Sequence, residues 1–275
     1  MTAGPASIPD GVRRPDPAER RKIADDHLAT LAALLDEATF GHLQRLGVTA
    51  GWRCWEAGAG AGTVAQWLAG RVGATGHVLA TDIDTSRLTA GRPAGFEVRQ
   101  HDLATDPAPG SGFDLVHARL VLEHLPDPPA ALAMMAGALR PGGWLLAEDA
   151  DPMLQPLACP DEHGPAQVLA NKVRHAIWAA SPRRGHLQFG RTLPRLLRDA
   201  ALTGTQAAAR IALTGPDTAR LQRTLILRHR DQMLAAGLLT SGEIDQHLAD
   251  IADGILDLAA FPVISAWGRT ASVPS

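Results

Sequence analysis

The chain of 275 residues contains no tyrosine, two cysteines and, among its 26 basic residues, only two lysines, Lys22 and Lys172. Cys54 and Cys159 are too few for a disulfide framework, and no C-x-x-C spacing offers a metal site, so no metal is expected. Cys54 reads as a small buried apolar residue. No apolar run approaches the ~18 to 20 residues of a membrane helix. The start, Met1 to Asp16, lacks an apolar signal-peptide core; residues 1–17 read as a flexible leader of a cytoplasmic protein. A net charge of −3 and the scarcity of lysine beside abundant arginine and alanine read as base-composition bias, so neither nucleic acid nor membrane is an expected partner. The missing tyrosine has no functional account. What is there is 45% hydrophobic, enough for a sizeable core in one globular domain with a decorated edge.

The most informative segment is Trp55-Glu56-Ala57-Gly58-Ala59-Gly60-Ala61-Gly62-Thr63. A β-prone approach ends in an acid and three alternate glycines, and helical sequence from Val64 to Ala69 follows at once. Glycines serve where backbone turns sharply and a ligand comes close. A strand, glycine turn and helix also aim free N-terminal N–H groups at what lies above the turn, as in a nucleotide-cofactor site. The dinucleotide fingerprint G-x-G-x-x-G would need a third glycine where Thr63 stands. A Walker loop would need a lysine after Gly62, and none is there.

Four further runs follow in order. His77 to Asp84 reads as a short buried strand ending in acid, with Asp82 twenty residues past Gly62, where a ribose-binding carboxylate belongs in a β-α-β unit. Its other reading is a helix N-cap facing Arg87. Phe96 to Leu103 is strand-like and ends at Asp102. Gly112 to Asp127 and Leu139 to Asp149 complete the series.

The motif E-x-G-x-G-x-G and its four followers, over about residues 50 to 151, resemble the Rossmann-like S-adenosylmethionine (AdoMet) methyltransferases. The resemblance implies an α/β three-layer sandwich: a mostly parallel seven-stranded sheet with its last strand antiparallel, N-terminal helices, and a helical insert before the last strand. It implies AdoMet as cofactor and S-adenosylhomocysteine as product. Glu56, Gly58, Gly60 and Gly62 would form the cofactor loop, Asp82 would take the ribose, and Ile83 would pack on adenine. Asp102, with Leu103, would meet the adenine amino group, and His117, Ala118 and Arg119 would run beside the methionine part through main-chain contacts.

Outside that core the pattern supports four divisions: the leader 1–17, N-terminal helices 18–47 with Asp36 as N-cap of the second, the core 48–151, and a substrate-side half 152–275. The last holds strands near Gln206–Leu213 and Pro262–Gly268 and an insert at about 218–258, capped inside by Thr240 or Ser241. The insert reads as a lid or, nearly equally, as a dimerisation element of a homo-oligomer. Candidate catalytic groups are His124, Glu148 and Asp149, with His163 and His175 beyond; His175 and Trp178 would share a helix face. Each has a structural alternative as cap, anchor or core residue. From Ser181 to Arg230 ten arginines (183, 184, 191, 195, 198, 210, 220, 223, 228 and 230) face two acids, Asp199 and Asp217. Solvated helix faces explain this, and an anionic acceptor is the sharper alternative. The resemblance implies methylation of a small molecule, a metabolite or natural-product intermediate. Two alternatives remain: AdoMet as a passive part of a cyclisation pocket, and a non-catalytic ligand-binding or scaffolding protein.

Overall fold

A computed structural model describes residues 16–89, 95–181 and 186–272. Most of the expected leader, together with Arg183 and Arg184, lies outside the described residues. The chain divides into two units. One comprises Met1–Leu34, Pro152–Leu187 and Ile211–Pro262; the other comprises Leu35–Asp151, Gln188–Arg210 and Val263–Ser275.

The second unit is a seven-stranded sheet. Its strands are β1 (Arg53–Ala57), β2 (His77–Asp82), β3 (Glu97–Gln100), β4 (Phe113–Arg119), β5 (Leu139–Ala150), β6 (Thr203–Arg210) and β7 (Val263–Arg269), in the order β3-β2-β1-β4-β5-β7-β6. The first five run parallel, and β7 lies antiparallel to both β5 and β6. Successive residues of the central strands bury on opposite faces, as period-2 geometry requires. Trp55, Leu79, Val116 and Leu145 join one core with helices α4 (Pro128–Gly137) and α6 (Leu193–Asp199). Cys54, Val78, Leu115 and Leu146 join another with α2 (Thr63–Val72) and Leu43. Both faces are covered, which is why these strands read as continuous apolar runs.

The N-terminal helices are one helix, α1 (Pro17–Arg45). Asp36 does not cap a second helix, because its carboxylate accepts from Arg119 Nη2 at 2.7 Å and Thr63 Oγ1 at 3.2 Å. With no proline between Ala18 and Arg45, nothing breaks the ladder.

The other unit is helical. It contains α5 (Pro165–Ala180), α7 (Pro216–Ala235) and α8 (Ser241–Ala252), beside the first part of α1. Thr240 caps α8 in a complete capping box: its side chain accepts from Glu243 N–H, and Glu243 reaches back to Thr240 N–H. His175 is exposed while Trp178 is buried against Phe261, so Trp178 is the core residue that its structural alternative describes. No helix among the described residues is long and apolar enough to cross a membrane.

Candidate active site

Strand β1 ends at Ala57, and the chain turns through Gly58, Gly60 and Gly62 with φ of 69°, 53° and 76°. Such angles are rare for residues with a Cβ. At Gly58 space excludes a side chain as well: an added Cβ would sit 2.3 Å from Val121 Cγ2. Asp82, closing β2, fixes the turn by accepting from Gly60 N–H at 2.8 Å, while its other oxygen accepts from Asp84 N–H at 3.0 Å. Each oxygen keeps a lone pair for a further donor. Arg87, on the short helix α3 (Ser86–Thr89), pairs with Asp84, not Asp82. Ile83, just beyond, is 64% exposed and presents an apolar surface. Asp102 forms a local turn by accepting from Ala104 N–H, and Leu103 is buried beside it. Helix α2 follows Gly62, an N-cap without a side chain, so its first-turn N–H groups remain available to an anion.

Beneath this turn lies a buried row of charge that follows from strand register. Glu56 on β1 stands directly beside His117 on β4, and Glu148 on β5 stands directly beside Ser265 on β7. His117 Nδ1 lies 2.6 Å from Glu56 Oε2, and its Nε2 lies 3.1 Å from Glu148 Oε2. Glu148 also accepts from Thr39 at 2.6 Å and Ser265 at 2.5 Å. Arg119 donates to Thr39 at 2.9 Å and to Asp36, which ties α1 to the row. Burial alone would lower the His117 pKa, but Glu56 and Glu148 on either side raise it to about 9. For Glu148 burial works upward, yet hydrogen bonding and attraction from His117 hold it at about 2. The row is a carboxylate–imidazolium–carboxylate sandwich.

The remaining candidates sit around it. Ala118 is buried, and Leu120, two residues on, holds φ at 56° while its N–H donates to the Glu148 carbonyl at 2.7 Å. A leucine held there marks local strain at the carboxyl edge of the sheet. Asp149 is fully buried, and neither oxygen has a well-formed hydrogen bond among the described residues. Burial first, then the Glu123 charge, push its pKa well above the carboxylate range, against the pull of the Leu122 and Glu123 backbone N–H groups. His124, on the turn Leu122–His124, is about one third exposed and lies 3.7 Å from Glu123. His163 is exposed on a loop. Thr39, Asp36 and Ser265 had no motif to announce them.

A family model described as a methyltransferase domain matches residues 18–207. The chain belongs to this family, the Rossmann-like AdoMet-dependent methyltransferases. Among curated methyltransferase relatives, the ubiquinone/menaquinone biosynthesis C-methyltransferase UbiE of Laribacter hongkongensis is 35% identical over 121 residues, 42% of this chain and 50% of that protein. The match thus spans about half the length of that relative. Among solved methyltransferase structures, phosphoethanolamine N-methyltransferase 2 of Haemonchus contortus, in complex with S-adenosyl-L-methionine, superposes with a TM-score of 0.54 at 15% identity, covering 96% of this chain and 61% of that one. The (4+2)-cyclase SpnF superposes with a TM-score of 0.52 at 14% identity, covering 96% and 100%. These likenesses show the methyltransferase fold. The turn fits the family's cofactor: Asp82 has capacity for sugar hydroxyls, Ile83 offers an uncovered apolar face, and α2 offers free N–H groups.

Proposed function

We propose that this chain transfers a methyl group from AdoMet to a small-molecule acceptor. The observation that carries the reading is Asp82, whose carboxylate pins the glycine turn through Gly60 while standing next to the exposed Ile83. When bound, AdoMet supplies an electrophilic methyl on a sulfonium. Asp82 would hold the ribose, Ile83, Asp102 and Leu103 the adenine, and the Gly58–Gly62 turn with the backbone of His117, Ala118 and Arg119 the amino-acid part. Glu56 is a positioning residue, since His117 fixes its carboxylate at the foot of the turn.

Most of the acceleration would come from holding the acceptor in line. Glu148 is held too low, and has its oxygens too well occupied, to accept a proton. Asp149 is held toward its protonated form. His124, whose ring reaches solvent, is the candidate base for an acceptor that starts protonated.

Calorimetry with AdoMet, wild type against Asp82→Ala, tests the cofactor assignment: binding should weaken at least about tenfold in the variant, given the worth of charged hydrogen bonds. Equal binding by both proteins, or none by either, removes the proposal. An acceptor screen read by mass spectrometry should then give a gain of one methyl mass with release of S-adenosylhomocysteine. Product formation without that release would favour the passive-cofactor cyclisation reading.

A further inference from the structure

At the carboxyl end of β5 stands a buried acid that the methyl-transfer reading does not use. Asp149 has no exposed surface, and no arginine, lysine or histidine among the described residues pairs with it. A carboxylate with neither a cation nor a well-formed hydrogen bond is too costly to keep charged away from water, so the group takes up a proton.

The elements packed around it bring no compensating charge. Strand alternation sets Asp149 on the face of Leu145 and Ala147, opposite to Glu148, and Leu122 and Leu193 line that face. From β7 the cross-strand neighbour is Ile264. From the segment Gly190–Thr192, Gly190 packs so closely that an added Cβ would meet the Asp149 carbonyl at 2.7 Å. Arg191 beside it is held by both oxygens of Asp151. From β4, Arg119 turns the other way, to Thr39 and Asp36. The charges that reach Asp149 are those of Glu123 and Glu148, and both are negative.

A buried acid O–H needs an acceptor. Glu148 cannot serve, because it lies on the other face and is occupied by Thr39, Ser265 and His117. Glu123 remains. Its largely buried side chain belongs to the turn Leu122–His124, and His124 Nε2 lies 3.7 Å from it. The chain enters this turn through Leu120, at a φ of 56°, so the entry is strained and has to be held. We propose that Asp149 and Glu123 share one proton, that this proton latches the turn Leu122–His124 to the end of β5, and that its loss frees the turn. The Asp149 O–H donates to the Glu123 carboxylate. When the proton passes to solvent, two carboxylates face each other with no cation between them, and both seek water. The same stretch carries Val121, which packs on Gly58, so loosening it reaches the glycine turn. The effect on the acceptor side rests on the methyl-transfer reading; the latch itself does not.

The tests use the full chain without AdoMet, so their outcome is separate from that of the cofactor assignment. Folded Asp149 holds its proton more tightly than the unfolded chain does. Its contribution is therefore complete below 3.8 and fades as pH climbs through the raised value. Asp149→Asn keeps a donor toward Glu123 and cannot ionise. Its Tm should stand above that of the wild type at neutral pH, by a gap that widens as pH rises and narrows toward 3.8. The infrared carbonyl band of a protonated carboxyl should be present in the wild type at neutral pH and absent from Asp149→Asn. Amide protection over residues 120–125 should fall severalfold in the wild type above neutral pH and stay level in Asp149→Asn. If Asp149→Asn does not fold, Glu123→Gln decides: without the second carboxylate, the band should persist and be lost at a higher or unchanged pH only if Glu123 has no part in it, and at a lower pH if the proton is shared. Absence of the band at neutral pH, an Asp149→Asn protein less stable than the wild type there, or wild-type protection that does not change with pH overturns the proposal.

Discussion

His117 Nδ1 lies 2.6 Å from Glu56 Oε2, at a register position where β1 and β4 set the two residues side by side with no solvent between them. The imidazolium separates two carboxylates that would otherwise repel each other in a buried setting. Substituting His117→Gln leaves Glu56 and Glu148 without their cation, and should destabilise the fold by about 3 to 5 kcal/mol, as when one partner of a buried ion pair is removed. Urea unfolding of the two proteins measures this. A loss below about 1 kcal/mol would show that the row carries no net charge on its histidine.

The same row sets a pH window. His117 is raised from 6.5 to about 9, so its contribution is complete below 6.5 and fades as pH climbs through 9. Glu148 is depressed from 4.5 to about 2, so its contribution is complete above 4.5 and fades as pH falls through 2. The stability gap between wild type and His117→Gln should therefore be widest between 4.5 and 6.5 and shrink toward pH 9. Denaturation midpoints across that range supply the curve, and a gap that widened above pH 7 would contradict it.

Gly58 and Val121 should behave as a coupled pair. Gly58→Ala introduces a Cβ 2.3 Å from Val121 Cγ2 at a φ of 69°, and should cost about 2 to 4 kcal/mol from overpacking and backbone strain together. In the background of Val121→Ala the 2.3 Å clash is gone, the residue 121 Cβ remains 3.3 Å away, and mainly the backbone penalty, about 1 kcal/mol, should remain. A double-mutant cycle on thermal unfolding tests the coupling; additive effects would place the cost elsewhere.

Thr240→Ala removes the capping box of α8, and a loss of about 1 kcal/mol is expected. Thr240→Asn should retain most of the stability, because its side chain still accepts from the helix N-terminus. Equal losses in the two variants would argue against the cap.

The features legible in the sequence were those written locally. The glycine turn, the acids closing β2 and β3, and the alternation of strands and helices all depend on neighbours within a few residues. The site's support was not legible in this way. Thr39 reaches Glu148 across 109 residues, and Ser265 reaches it across 117. Strand register brings Ser265 to Glu148, and the packing of α1 brings Thr39, and no spacing rule encodes either. Asp36 looked like a cap because aspartate before an apolar run usually is one, but Arg119 claimed it.

The sheet order has a further consequence. β1 and β4, which carry Glu56, the glycine turn and His117, lie side by side in the interior of seven strands, while β3 and β6 form the rims. Amide protons of the rims should exchange with deuterated solvent early, and those of the two inner strands only when the whole unit opens. The turn is thus anchored to the slowest-breathing strands of the sheet, and a ligand settling there would meet a surface already set in place.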